Sequence, residues 1–468
     1  MEQSLSLISA QVQFMEDRLA LVHIPLDLYP FFLNPILQLL FHEVSPIADS
    51  LADDGYAETR SPHPPAFLNF SITPVECSIM CPRQLAKEYF APLVDKFLQS
   101  NTASQTRLSI SHDDFIAMQV YGEGLEAGQR VLELTSPLAM AGIPSSIFFI
   151  STYFSDYIIV PLRSKTQVIE ALEKRGFQFE MTTEAFINNN QAQYTCFSPV
   201  SSRSASSLGS PPATPPPSSL DELQTRTFSS LRKNHIVPSV DRSLRLVQCA
   251  AHHRYSSDTS SIAILRDALT TTLVVDKPRF LSLTLTAADP AASLLLEKRL
   301  LPRFSNGPDD EEGLLLGSKE EILVPIMLDL RKLPLEATGI VCGVAGRLAD
   351  ATHHRDDADD DDETTDVSTT FSQSFNGNGS SLESTIKNLL SSSYGSGGPV
   401  RPFGSTPGYN THRLEPDIDP SLDAVEISFL STARAGTIIV GEHELNRAVD
   451  ALEAESHEPE KAFEALEI

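Results

Sequence analysis

The sequence predicts an α/β (α+β) fold of four ferredoxin-like βαββαβ units in two tandem pairs, with a disordered central linker and a disordered acidic insertion. Three observations carry this expectation. A β-rich hairpin pattern, SSIFFISTYFSDYIIV at 145–160, returns as VEISFLSTARAGTIIV at 425–440 with seven of sixteen positions identical, including Ser151-Thr152 against Ser431-Thr432. An alternating run, FLNFSIT at 67–73, returns as FLSLTLT at 280–286. Two stretches, 201–219 and 351–420, have compositions that cannot fill a core, and a chain of 468 residues is too long for a single one.

The elements follow in order. LALV at 19–22 reads as a strand and 34–41 has helical spacing; FLNFSIT, a turn around Pro74 and another apolar run then complete a strand–helix–strand–turn–strand series. The third unit repeats it with LRLV at 244–247, a helical pattern over 262–273, and FLSLTLT followed by a turn around Pro290. In the second unit SPLA at 136–139 precedes the hairpin and VIEALE at 168–173 follows it. In the fourth, GRLA at 346–349 and AVDALE at 448–453 take those places, with Leu445, Ala448, Val449 and Leu452 on one apolar helix face. The tetrads lie 210 residues apart and the hairpins 280; the difference of 70 equals the block 351–420, so the fourth unit is the second with one loop expanded. The expected boundaries are 1–100, 108–185, 241–315, and 320–350 joined to 421–456, with a Ser/Pro-rich linker at 186–240 and a tail at 457–468.

The linker core, SSRSASSLGSPPATPPPSS, buries too little apolar surface to offset the entropy of ordering. It also offers Ser210-Pro211 and Thr214-Pro215 to proline-directed phosphorylation. The insertion holds eight acidic residues between Asp356 and Asp366, followed by a Ser/Gly tract.

A formal charge of −27, from 62 acidic against 35 basic residues, opposes nucleic acid and anionic membranes as partners. No apolar run of about 20 residues and no basic start followed by an apolar core is present, so neither membrane insertion nor export is expected. Five thinly spread cysteines suit a reducing, cytoplasmic setting. Cys77 and Cys81 lack the second ligand pair of a structural zinc site, and His252-His253 and His353-His354 read as loop and solvated surface. No phosphate-binding, nucleophile-elbow or dinucleotide pattern occurs. The expectation is therefore a protein with no catalytic residue, no metal and no cofactor. One segment stands out: GIVCGVAG at 339–346 puts three glycines at a strand-to-helix junction. They either admit a ligand to the first helix amides or serve close helix–sheet packing, and the spacing leaves both open.

IFFISTYFSDYIIV with its VIEAL helix, EATGIVCGVAGRLA, ISFLST…TIIV and FLNFSITPVECSIMC resemble the CASTOR family of cytosolic arginine sensors. Those proteins are four ACT domains in two pairs, related to the regulatory ACT domains of aspartate kinases. The likeness spans most of the chain outside 185–240 and 351–420. It implies a non-catalytic sensor that holds an amino acid between its second and fourth domains, a GATOR complex of TOR signalling as partner, and a homodimer. Carried over residue by residue, the ligand-contacting serine falls on Ser146 and its neighbour on Ile147. The second hairpin's threonine falls on Thr432, and Ala433 replaces the aromatic that follows. The acid that pairs with the guanidinium falls on Gly436, and a glutamate ahead of the GIV run (Gly339, Ile340) falls on Ala337, with Glu336 one place earlier. A buried guanidinium needs an anionic partner, so arginine requires Glu336 or Glu426 in place of the missing acid. The departures at Ala433 and Gly436 fit another amino acid, or a ligand-independent interaction scaffold, at least as well. Regulation of an amino-acid-biosynthetic enzyme is a third reading.

Overall fold

Long apolar runs with few charges form strands buried on both faces, which is what most of this chain's strands turn out to be. The computed structural model describes residues 11–41, 65–99, 108–121, 127–143, 147–179, 217–251, 259–289, 291–304, 314–333, 339–353 and 427–453. All belong to one body. The acidic residues at 356–366, the Ser/Gly tract, the tail and both proline-directed sites lie outside them.

The first unit runs β2 (Leu19–Ile24), α1 (Tyr29–Phe41), β3 (Phe67–Ile72), β4 (Cys77–Pro82), α2 (Ala91–Gln99) and β5 (Ser109–Ile110). The second runs β6 (Phe115–Tyr121), α3 (Ala127–Met140), β7 (Phe148–Ser151), β8 (Asp156–Pro161), α4 (Lys165–Glu173) and β9 (Gln178–Phe179). After α5 (Leu220–Lys233) the third comprises β11 (Leu246–Ala251), α6 (Thr259–Thr271), β12 (Leu281–Thr286), β13 (Ala292–Glu297), a 3-10 turn and β14 (Leu315–Leu316). The fourth comprises β15 (Leu323–Asp329), α7 (Ile340–His353), β16 (Ile427–Ser431), β17 (Ala435–Gly441) and α8 (Leu445–Glu453). Strand order in the first unit is β5-β2-β4-β3 and in the third β14-β11-β13-β12. These are the pairings of a split βαβ sheet.

Two short strands depart from the expected boundaries. Each half opens with a strand that crosses to its second sheet: β1 (Gln11–Phe14) lies between β6 and β9, and β10 (Ser239–Val240) lies beside β15. Burial explains the crossing, because Val12 joins the second unit's core rather than the first's. The segment 186–240, assigned to a disordered linker by composition, thus contributes a strand and the helix α5. Its start is written locally. Ser219 accepts the Glu222 amide at 3.2 Å, and Glu222 reaches back to the Ser218 amide and hydroxyl at 2.8 and 2.6 Å. Those Ser218 bonds, with Arg226 adding to them, draw the Glu222 carboxyl down to about 2.

The sequence echoes are the seams between the halves. FLNFSIT and FLSLTLT pair with each other, β3 against β12, from Phe67↔Thr286 to Ile72↔Leu281. The doubled hairpins meet at Leu430↔Ile150, β16 against β7. Single bridges at Leu19↔Phe115 and Leu246↔Leu323 connect neighbouring units. Together these pairings close twelve strands into a ring, in the order β6-β2-β4-β3-β12-β13-β11-β15-β17-β16-β7-β8.

Period-two alternation then sorts side chains between two environments. Leu19, Leu21, Tyr157, Ile159, Ala435 and Ile439 share one core inside the ring. Ile158, Val160, Ile438 and Val440 face the helices of the second and fourth units, and Ala20, Val22 and Ile24 those of the first and third. In α1 the spacing places Phe32, Ile36, Leu39 and Leu40 on one face, all buried. At the β3–β12 seam a polar ladder replaces apolar packing. Asn69 donates to Ser282 and Thr284 at 3.1 and 3.0 Å, and Ser71 donates to Asn69 at 2.8 Å.

Candidate functional site

All four units turn between the two strands of their hairpin with a threonine. Its hydroxyl bonds the backbone two or three residues on, at Thr73, Thr152, Thr286 and Thr432. What occupies the third position after it differs: Glu76, Ser155, Asp289 and Ala435. The turns dock across the halves in the same way, since the Tyr153 amide donates to Ser293 at 2.8 Å and the Ala433 amide to Ser78 at 3.3 Å.

The two acids make these contacts specific. Asp289 accepts from Tyr157 at 2.7 Å and from Gln119 at 3.3 Å; burial nonetheless holds its carboxyl above the ordinary range, against the pull of those donors. Glu76, 0% exposed, accepts from the Thr432 hydroxyl and the Arg434 amide, both at 2.5 Å, while its other oxygen meets His23 Nδ1. A carboxylate from the first unit thereby fixes the hairpin turn of the fourth.

That turn is one wall of a cavity of about 80 Å³ between the second and fourth units. A single water needs only about 10–15 Å³ of such space. The C-terminal half of α3 (Thr135, Leu138) with Ile143 and Ile147 forms the opposite wall, and Leu330 and Leu333 add apolar surface. The start of α7 closes it through Gly339, Ile340, Val341 and Cys342. Gly339 has φ +80°, a conformation suited to glycine, and its carbonyl accepts the Gly343 amide at 2.8 Å. The amides of the first turn have no intrahelical acceptor and give this end a partial positive charge. Arg434, whose guanidinium donates to the Leu333 carbonyl at 3.3 Å, is the charged side chain among the described lining residues. An apolar chamber with a cationic end suits a small carboxylate.

Six expected site residues, Ile147, Gly339, Ile340, Thr432, Ala433 and Gly436, line this cavity. Ser146, Glu336, Ala337 and Glu426 lie outside the described residues. Thr432 is held by Glu76 and the Ala435 amide, so its hydroxyl serves the turn. The glycines of GIVCGVAG also have an assigned partner. A Cβ on Gly339, Gly343 or Gly346 would meet Leu223, Thr227 or Gln224 of α5 at 2.6, 2.8 and 2.5 Å. They serve close packing against a helix, where the sequence suggested a sheet. The Glu76 latch has no distinguishing pattern beyond Thr-x-x-Glu at 73–76, which reads as a turn.

Cys77 and Cys81 stand four residues apart on β4, about 13 Å at strand rise, too far to share a metal. Among the described residues no group of three His, Cys, Asp or Glu is placed to hold a metal ion, and no helix is long and apolar enough to cross a membrane. Burial pushes the thiols of Cys81 and Cys249 up to about 12 and that of Cys342 to about 11, and raises that of Cys77 well above the ordinary thiol range. The thiolate is the reactive form. All four are therefore expected to stay unlabelled by a disulfide reagent in the native protein at pH 7, and to react on unfolding, as a spectrophotometric thiol titration would show.

Residues 110–174 match the family model of the ACT domain, a span that covers the second unit from β6 through α4. A search of curated proteins finds no match. Among solved structures, the chain is similar to protein Atu0741 from Agobacterium tumefaciens at 14% identity, over 37% of this chain and 94% of that one, with a TM-score of 0.21. It is also similar to aspartate kinase from Synechocystis at 10% identity, over 96% of this chain and 55% of that one, with a TM-score of 0.27. The chain thus spans about half the length of that kinase.

Proposed function

We propose that the chain is a non-catalytic regulatory protein of four ACT-type units, which binds a small amino acid with an apolar side chain between the second and fourth. The observation that carries this reading is the cavity itself. Its walls are largely aliphatic, and Arg434 and the start of α7 lie among its lining residues, which suits a carboxylate. An arginine ligand would bring a guanidinium to a chamber that presents a guanidinium of its own and has Gly436 where an acid would be needed. A CASTOR-like role in TOR signalling, in the cytoplasm and as a homodimer, is the finer form of the proposal and rests on the sequence resemblance.

The test is thermal shift and calorimetry against the twenty amino acids. Apolar members should raise the unfolding midpoint, and arginine should not. The double substitution Ile340→Arg with Gly436→Asp fills the chamber with an ion pair and should abolish that response while the protein stays folded. A panel without any shift would remove the ligand-binding reading.

A further inference from the structure

Positions that line the cavity have counterparts in the second unit, and the two copies carry different residues there. The 280-residue offset maps Gly436 onto Asp156, and the 210-residue offset maps Ile340 onto Arg130. Strand register gives the same equivalence for Gly436 and Asp156, since Leu328↔Gly436 and Leu323↔Gly441 answer Val120↔Asp156 and Phe115↔Pro161. Ile150 and Leu430, equivalent to each other, are paired, which puts the local twofold at that bridge. In the second copy Ile340 and Gly436 line the cavity. In the first, Arg130 Nε–H donates to Asp156 Oδ2 at 2.5 Å. The Asp156 side chain is 4% exposed and that of Arg130 30%, so the guanidinium reaches from the solvent side onto a buried carboxylate.

We propose that Arg130 is a tethered occupant: the first copy is a guanidinium site filled by the chain's own arginine, and the second is open because Ile340 and Gly436 replace that pair. The proposal rests on the duplication and the ion pair, so it stands or falls separately from ligand binding in the open cavity. A buried carboxylate stripped of its cation is strongly unfavourable, and a small guanidinium restores the lost N–H donor with the flat shape of the Arg130 head, which an ammonium lacks. Removing the Arg130 side chain therefore leaves a vacant, solvent-reached site whose ligand class is a small guanidinium compound. The native chain accordingly offers one open site of the duplicated pair.

Chemical rescue tests this. Arg130→Ala should melt below the wild type. Methylguanidinium or L-arginine at about 10 mM should restore its midpoint by on the order of 5 °C, with methylammonium at the same concentration ineffective. The wild type and the double variant Arg130→Ala/Asp156→Asn should not respond to methylguanidinium. If Arg130→Ala does not fold, its refolding yield with and without methylguanidinium becomes the readout, alongside Arg130→Lys, which keeps the charge and loses the flat head. Equal responses with and without Asp156, or no response from either Arg130 variant, would overturn the assignment.

Discussion

Glu76→Ala is expected to cost about 3–5 kcal/mol of folding stability, read as a lowered urea midpoint, because it strips a buried polar cluster of its shared acceptor. His23, the Thr432 hydroxyl and the Arg434 amide all converge on that carboxylate. Glu76→Gln keeps the shape and should cost less, about 1–3 kcal/mol, since an amide still accepts one of these bonds. Thr432 and Arg434 lie in the fourth unit, so their share of the loss belongs to docking of the first unit on the fourth. A double-mutant cycle of Glu76→Gln with Thr432→Val should therefore show a non-additive coupling. Additive effects would mean that the two residues do not act together. Hydrogen exchange supplies a local check, because the Arg434 amide should lose protection in both Glu76 variants.

Gly343→Leu is expected to undock α5 from α7. Even a methyl at 343 would sit 2.8–2.9 Å from Cβ, Oγ1 and Cγ2 of Thr227. Helix propensity alone favours alanine over glycine by about 1 kcal/mol. Overpacking costs about 1–3 kcal/mol and should win here, because a β-branched threonine cannot swing aside. The measurement is limited proteolysis with hydrogen exchange over 217–233, where protection should fall. Gly343→Ala should show a milder loss, and Gly343→Ala with Thr227→Ala should recover part of it, since the second change removes Oγ1 and Cγ2 and leaves only Cβ at 2.8 Å. Failure of that recovery would refute the packing explanation for the glycines.

Much of this architecture is legible in the sequence where a physical signal is repeated. The paired echoes at 67–73 and 280–286, and the doubled hairpins, are strands with both faces buried, so their composition and spacing are constrained enough to survive duplication. The expected site residues that the structure describes, placed by the family resemblance, all line one cavity. Other features depend on contacts that local patterns do not encode. The glycine ladder on α7 makes sense only with α5 laid across it, and α5 follows a Ser/Pro-rich run that dominates the composition of its surroundings. Its capping box at Ser219 and Glu222 was the available signal. Glu76 serves a turn 356 residues away, and neither the turn's spacing nor its residue types announce a partner. The crossing of β1 and β10 is equally non-local, because strands this short are placed by the sheet they complete.

The two seams that close the ring differ sharply in length, with six register positions at β3–β12 and one at β7–β16. The β7–β16 bridge is thus one of three single-register connections in the ring, with β2–β6 and β11–β15, and it is the catch between the two halves. The Phe429 amide on Ser151 at 3.1 Å and the edge-on rings of Phe149 and Phe429 are the parts of that catch, and the cavity lies directly behind it. On the proposed function, a ligand in that cavity touches both hairpins at once and ties the two halves together at their shorter seam.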